Sequence, residues 1–161
     1  MPVARSAPRA GLLALVAVLF LGGWIAWREL TSAPSHPIPF RNLTARAGHL
    51  EFLRPASHSF DTRAELVDFL SHQMPGRPLH LPRIDWARRE VVLATPGPRS
   101  SSGYALRVLD VREEPGRILV RVRERTPTLG ERVTPGVTYP FALIEIARSA
   151  KRVVVAWQGR Q

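Results

Sequence analysis

Arginine and aliphatic residues alternate along residues 117–125, with Ile118, Val120 and Val122 on one parity and Arg117, Arg121, Arg123 and Arg125 on the other. Successive side chains of an extended strand point to opposite faces, so a period of two makes one face apolar and the other strongly basic. Just ahead lies Glu114-Pro115-Gly116-Arg117. Proline followed by glycine suits the middle of a type II turn, so the run from Tyr104 to Arg112 becomes the partner strand and the segment predicts a hairpin.

A second apolar run, Val91 to Thr95, enters Pro96-Gly97-Pro98-Arg99-Ser100-Ser101-Ser102-Gly103 and leaves through Tyr104. Glycine relaxes the backbone, proline stiffens it, and three serines offer hydroxyls with little bulk. This predicts a shaped loop between two strands, where binding residues tend to lie. Thr126 to Gly136 is a second loop rich in Pro, Gly and Thr. Thr138 to Ala147 reads as one strand, with Pro140 near its start and Ala142, Ile144 and Ile146 on one face; Val153 to Trp157 is the last strand.

Before the central run, His49 to Leu53 reads as a first strand. A helix follows, capped by Ser59 or Asp61, with Ala64, Leu66, Val67, Phe69 and Leu70 on one face and Pro75-Gly76 beyond its end. Ile84-Asp85-Trp86 then leads into a polar turn that Trp86 anchors. Several short strands with turn signals and one earlier helix predict a mainly β (α+β) fold, an antiparallel β sandwich or half-barrel.

With 161 residues there is room for one core. No cysteine is present, so disulfides, thiolate zinc sites and thiol nucleophiles are excluded. The net charge of +10 is almost wholly arginine, since Lys151 is the only lysine.

Ala10 to Trp27 is 18 residues without a charge, enough to cross a hydrocarbon core. Arg5 and Arg9 precede it, while Arg28 and Glu29 cancel after it, so the positive-inside bias predicts a cytoplasmic N-terminus. Trp24 and Trp27 fit an aromatic belt at the outer interface. The expected organisation is a cytoplasmic tail at 1–9, a transmembrane signal-anchor at 10–27, a linker at 28–47 and an exported β domain at 48–161. The expected location is the cell membrane, single-pass, with the C-terminal domain in the periplasm or extracellular space. A cleaved signal peptide is the competing reading, and either way the domain is exported.

No reaction centre is legible. The five histidines share no metal-ligand spacing, and Glu113-Glu114 point to opposite strand faces and cannot share a proton. The glycines of the Pro96–Tyr104 loop lead into a strand rather than a helix, so no phosphate loop is expected. Aromatics to stack on bases are missing from the basic strand, which argues against nucleic acid. Neither an enzyme nor a cofactor, metal or small-molecule substrate is expected. Asn42-Leu43-Thr44 fits a glycosylation sequon and is assigned no role.

Ile84-Asp85-Trp86, the Val91–Ala94 strand, Gly97, Ser102-Gly103-Tyr104, the hairpin leading to Glu124-Arg125-Thr126-Pro127, and Thr138-Tyr139-Pro140-Phe141 together resemble the C-terminal domain of the PrcB family, bacterial protease-complex subunits. The likeness covers roughly Leu79 to Trp157. Where the family shows a Thr-Gly-Gly-Tyr-like run, this chain has Ser101-Ser102-Gly103-Tyr104. The resemblance implies a non-catalytic accessory protein that binds an exported protease or protease complex. The expected partner-binding residues are Arg99, Ser100, Ser101, Ser102, Gly103, Tyr104, Pro127 and Tyr139. The alternative is a structural envelope protein whose basic face, Arg117, Arg121, Arg123 and Arg125, rests on anionic lipid or cell-wall polymer.

Overall fold

The computed structural model describes residues 35–159. In chain order they form β1 (His36–Pro37), β2 (Arg41–Asn42), a 3-10 turn (Thr44–Arg46), β3 (Ala56–Phe60), α1 (Arg63–Gln73), β4 (Arg89–Thr95), β5 (Arg99–Ser101), β6 (Ala105–Glu114), β7 (Arg117–Arg125), β8 (Pro135–Thr138), β9 (Ala142–Ala147) and β10 (Arg152–Gln158). The fold is mainly β. The anchor expected at Ala10 to Trp27 lies outside the described residues, among which no helix is long and apolar enough to cross a membrane.

Two four-stranded sheets, in the orders β1-β6-β7-β10 and β2-β9-β4-β3, stack on one another, and β5 pairs with β8 in a small third sheet. Val92, Ala94, Ile144 and Ile146 of the second sheet meet Val111, Ile118, Val120 and Val122 of the first. The opposite face of the second sheet, through Val91, Leu93 and Leu143, packs on Leu66 and Leu70 of α1 and on Leu43, Leu50 and Phe52. Its central strands are therefore covered on both sides, which is why Val91–Ala94 reads as an unbroken apolar run rather than an alternating one. Phe52 and Phe141 meet edge-on, ring centroids 5.6 Å apart, a contact adding about 0.5–1.5 kcal/mol beyond its buried area.

The hairpin forms as its sequence predicts, Glu114 opposite Arg117, with Gly116 at φ 78° in the turn. Elsewhere the structure departs from the sequence reading. Residues 49–53 form no strand; Leu50 and Phe52 drop into the core from irregular chain. The strand lies at Ala56–Phe60, where only Phe60 is fully buried and pairing with β4 does the ordering. The helix cap is Thr62, not Ser59 or Asp61: its hydroxyl accepts from Glu65 N at 3.2 Å, and the Glu65 carboxylate accepts from Asp61 N at 3.0 Å. Pro140 splits the expected 138–147 strand, because a residue without an N–H cannot continue a ladder. β8 then joins β5 while β9 enters the second sheet. β10 runs parallel to β7, Arg152 opposite Arg117 and Gln158 opposite Arg123, since the chain returns to the first sheet only after crossing the second.

The Asn42-Leu43-Thr44 triplet has a structural part. Asn42 Oδ1 accepts from Thr44 N at 2.9 Å, and Thr44 Oγ1 accepts from Leu143 N at 3.0 Å, which ties β2 and the 3-10 turn to β9 while Leu43 is fully buried.

Candidate functional site

The two loops, Pro96 to Gly103 and Thr126 to Gly136, are held together as one unit. Arg99 pairs with Thr138 and Ser101 with Pro135 in the β5–β8 ladder. Ser102 N donates to Thr134 O at 3.0 Å, Thr134 N donates to Ser102 Oγ at 3.0 Å, and Thr138 Oγ1 donates to Ser101 O at 2.7 Å. The start of the first loop is fixed by buried Thr95, whose hydroxyl donates to Pro140 O at 3.0 Å and accepts from Gly97 N at 3.2 Å. A glycine is required at 103 because the second loop lies against its Cα: an added Cβ would be 2.6 Å from Val133 Cγ1 and 2.7 Å from Pro127 Cβ.

Arg99 faces inward and is occupied. Its guanidinium forks onto Glu124, with Nε on Oε1 and Nη2 3.0 Å from Oε2, while Nη1 donates to Pro96 O at 3.0 Å and Pro98 O at 2.9 Å. Hydrogen bonding to Glu124 raises the Arg99 pKa above its ordinary value. Glu124 stands in the motif Glu124-Arg125-Thr126-Pro127 without an expected role in the loop, yet the signal for one is present: it shares the parity of Ile118, Val120 and Val122, so strand alternation alone turns it toward the interior.

Arg125, expected on the basic face, bridges the two loops. Nη1 donates to Gly103 O at 2.7 Å and Nη2 to Glu131 Oε1 at 2.5 Å. That hydrogen bond holds the Glu131 carboxyl below its usual range, and Glu131 Oε2 in turn accepts from Thr128 N at 3.0 Å, closing the 128–131 turn. Leu129 stands fully exposed at the tip of that turn, and Val137 is exposed on β8. Neither was singled out in the sequence, since a lone apolar residue in a loop carries no pattern.

Of the other expected binding residues, Ser100 and Ser102 are exposed, Tyr104, Pro127 and Tyr139 are half-buried, and Ser101 and Gly103 are buried. The surface of the loop pair therefore offers small hydroxyls, two tyrosines and two aliphatic side chains. The remaining arginines of the basic face lie on the outer side of the first sheet. Arg117 pairs with Glu114 at 2.7 Å and Arg121 forks onto Asp110, so each is locally neutralised. Hydrogen bonding to Arg121 holds the Asp110 carboxyl below its ordinary range. Arg123 sits opposite Arg107 on β6 and Gln158 on β10.

Two further features lie at the two ends of β4. An apolar groove of about 330 Å³ opens between the sheets, lined by Pro55, Pro96 and Trp157, with the Arg99–Glu124 pair at its side. At the opposite end of β4, burial and then the neighbouring Asp61 carboxylate push Glu90 up from 4.5 to about 7, and its Oε1 has no hydrogen-bond partner. His58, near the serines and Asp61 in sequence, meets Phe69 at a tilt, ring centroids 4.6 Å apart. Among the described residues no group of three or more His, Asp or Glu is placed to hold a metal ion.

Residues 91–147 match the protein-family model described as PrcB C-terminal. The match runs from β4 to the end of β9, so it contains both loops and the Arg99–Glu124 pair, and it supports the likeness drawn from the sequence motifs. No curated protein and no solved structure matches the chain.

Proposed function

We propose, from the PrcB C-terminal match over residues 91–147, that this chain is a non-catalytic accessory subunit that binds a protein partner, a protease or protease complex, through the paired loops. The observation that carries the reading is the construction of the loop pair. Backbone ladder, Arg99–Glu124 and the Arg125 bridge fix its shape from within, while Ser100, Ser102, Tyr104, Tyr139, Leu129 and Val137 are left at its surface. Rigid backbone with tyrosine and aliphatic side chains at the surface suits protein recognition, because little conformational entropy is lost on docking. In this proposal Ala10 to Trp27 anchors the chain, and the domain works outside the cytoplasm.

The test is capture from envelope extract with the tagged full chain as bait and identification of co-purifying peptidases. Ser100→Tyr and Tyr104→Ala alter the surface without touching the clasp, and both are expected to reduce capture at least fivefold. Arg99 is not a suitable probe, because its loss disturbs the loop from inside. Undiminished capture by both variants removes the loop pair from the account.

One observation favours the envelope-polymer alternative: Arg123 and Arg107 face each other across β6 and β7 with no acidic partner among the described residues. Opposed like charges destabilise a sheet, and an anionic surface would relieve them. Salt-sensitive sedimentation of the domain with phosphatidylglycerol vesicles, lost in Arg107→Gln/Arg123→Gln, would replace the first reading with this one.

A further inference from the structure

Sheet edges expose unpaired backbone groups, and proteins blunt them with short strands, proline, charge or bulges. Three edges here are blunted. β1 and β2 have two residues each, and β1 contains Pro37. β3 is mostly polar, Ser57-His58-Ser59. The stretch of β6 that β1 leaves uncovered carries Arg107 and Asp110 and is broken by a bulge between Val108 and Asp110.

β10 is the exception. It closes the first sheet with seven residues, Arg152 to Gln158, with no proline and with Arg152 as its single charge. Val153, Val154, Val155 and Ala156 are all half-buried rather than covered. Register with β7 sorts its faces. Val153, Val155 and Trp157 lie opposite inward-facing Ile118, Val120 and Val122, while Arg152, Val154, Ala156 and Gln158 lie opposite Arg117, Leu119, Arg121 and Arg123. Trp157, 43% exposed, therefore stands on the inner face at the mouth of the groove beside Pro55 and Pro96.

We propose that β10 is a strand-addition site for an extended segment of a partner protein, apolar in its middle, acidic where it passes Arg152, and seating one large apolar side chain against Trp157 in the groove. Main-chain bonds to this edge, which no strand covers among the described residues, give such a segment its affinity, and the groove and Arg152 give it direction. Charge selects the occupant. A second copy of this chain brings another net +10, and an antiparallel pairing of two β10 strands offers Arg152 no carboxylate. An acidic-ended segment meets Arg152 with opposite sign, Arg117 and Arg121 of β7 being already paired with Glu114 and Asp110. The inference names the kind of segment that the proposed protein partner contributes; of the first loop it uses only the groove wall at Pro96 and Arg99, and none of the surface residues Ser100, Ser102, Tyr104 or Tyr139.

The test uses the full chain and labelled ten-residue peptides of alternating valine and threonine, with leucine at one end and two aspartates at the other. Binding is followed by fluorescence anisotropy. The aspartate peptide is expected to bind at least fivefold more tightly than its lysine counterpart. Arg152→Glu, at an exposed position, inverts that order, and Trp157→Ala weakens both. N-methylation of alternate peptide amides is the decisive readout: one phase removes the bonds to β10 and loses at least tenfold in affinity, and the other phase leaves binding intact. Equal effects of the two phases, an unchanged peptide order in Arg152→Glu, or a concentration-dependent dimer that excludes the peptide would each overturn the proposal. Ser100→Tyr and Tyr104→Ala leave peptide binding unchanged, so failure of the loop reading and failure of this one are distinguishable.

Discussion

Gly103 lies directly beneath Pro127: a β-carbon on the glycine would sit 2.7 Å from the proline Cβ, closer than non-bonded carbons approach. The motif glycine thus serves as the contact point between two loops 24 positions apart in numbering, and its φ is not in the left-handed region. Alanine fits the backbone there and lacks only the space. Gly103→Ala is expected to cost about 1–3 kcal/mol, as overpacking does, and to deprotect the Ser102 and Thr134 amides in hydrogen exchange. Wild-type stability with unchanged exchange at those amides would show the contact to be dispensable.

Arg99 and Glu124 differ in burial, with side chains 20% and 6% exposed, so breaking the pair is asymmetric. Arg99→Ala takes the guanidinium away from a buried carboxylate and is expected to destabilise by about 3 kcal/mol. Glu124→Ala leaves a guanidinium that can turn toward water and costs less. Arg99→Met with Glu124→Leu recovers most of the loss. Urea denaturation of the three variants checks the order, and equal costs for the two single variants would refute it.

Glu90 gives the fold a pH dependence. Its folded pKa, about 7, exceeds the ordinary 4.5, so the folded state holds the proton more tightly. The associated stability is present in full below 4.5 and is lost as pH rises through about 7. Glu90→Gln is expected to flatten that slope and to raise Tm at pH 8 by about 3 °C or more. A wild-type Tm that does not fall between pH 5 and pH 8 would contradict the assignment.

Thr62 caps α1 with its hydroxyl, and Thr62→Ala is expected to cost about 1 kcal/mol. Because α1 covers one face of the second sheet through Leu66 and Leu70, the loss appears as a lower midpoint in a single cooperative transition rather than as separate fraying of the helix. Two transitions would show that the helix layer folds apart from the sheets.

Strand β7, the 114–117 turn, β4 and the helix were legible in the sequence because each is fixed by its own residues: a period of two, a proline before a glycine, a continuous aliphatic run, a helical apolar face. The strand expected at 49–53 was not there, because Leu50 and Phe52 alternate in burial without pairing with a neighbour. β3 went unread because its polar sequence becomes a strand only against β4. The order of the motif residues around the two loops was legible, and the family match covers the same stretch.

Local sequence by itself determined where the chain extends, turns and buries, since propensity and periodicity act over a few residues. Tertiary structure alone decided that Arg99 is spent on Glu124, that Arg125 ties the loops, that β10 runs parallel to β7 and ends the sheet, and that burial raises the Glu90 pKa. Each of those outcomes depends on a partner distant in the chain and on how much water the pairing excludes, quantities that no window of sequence contains.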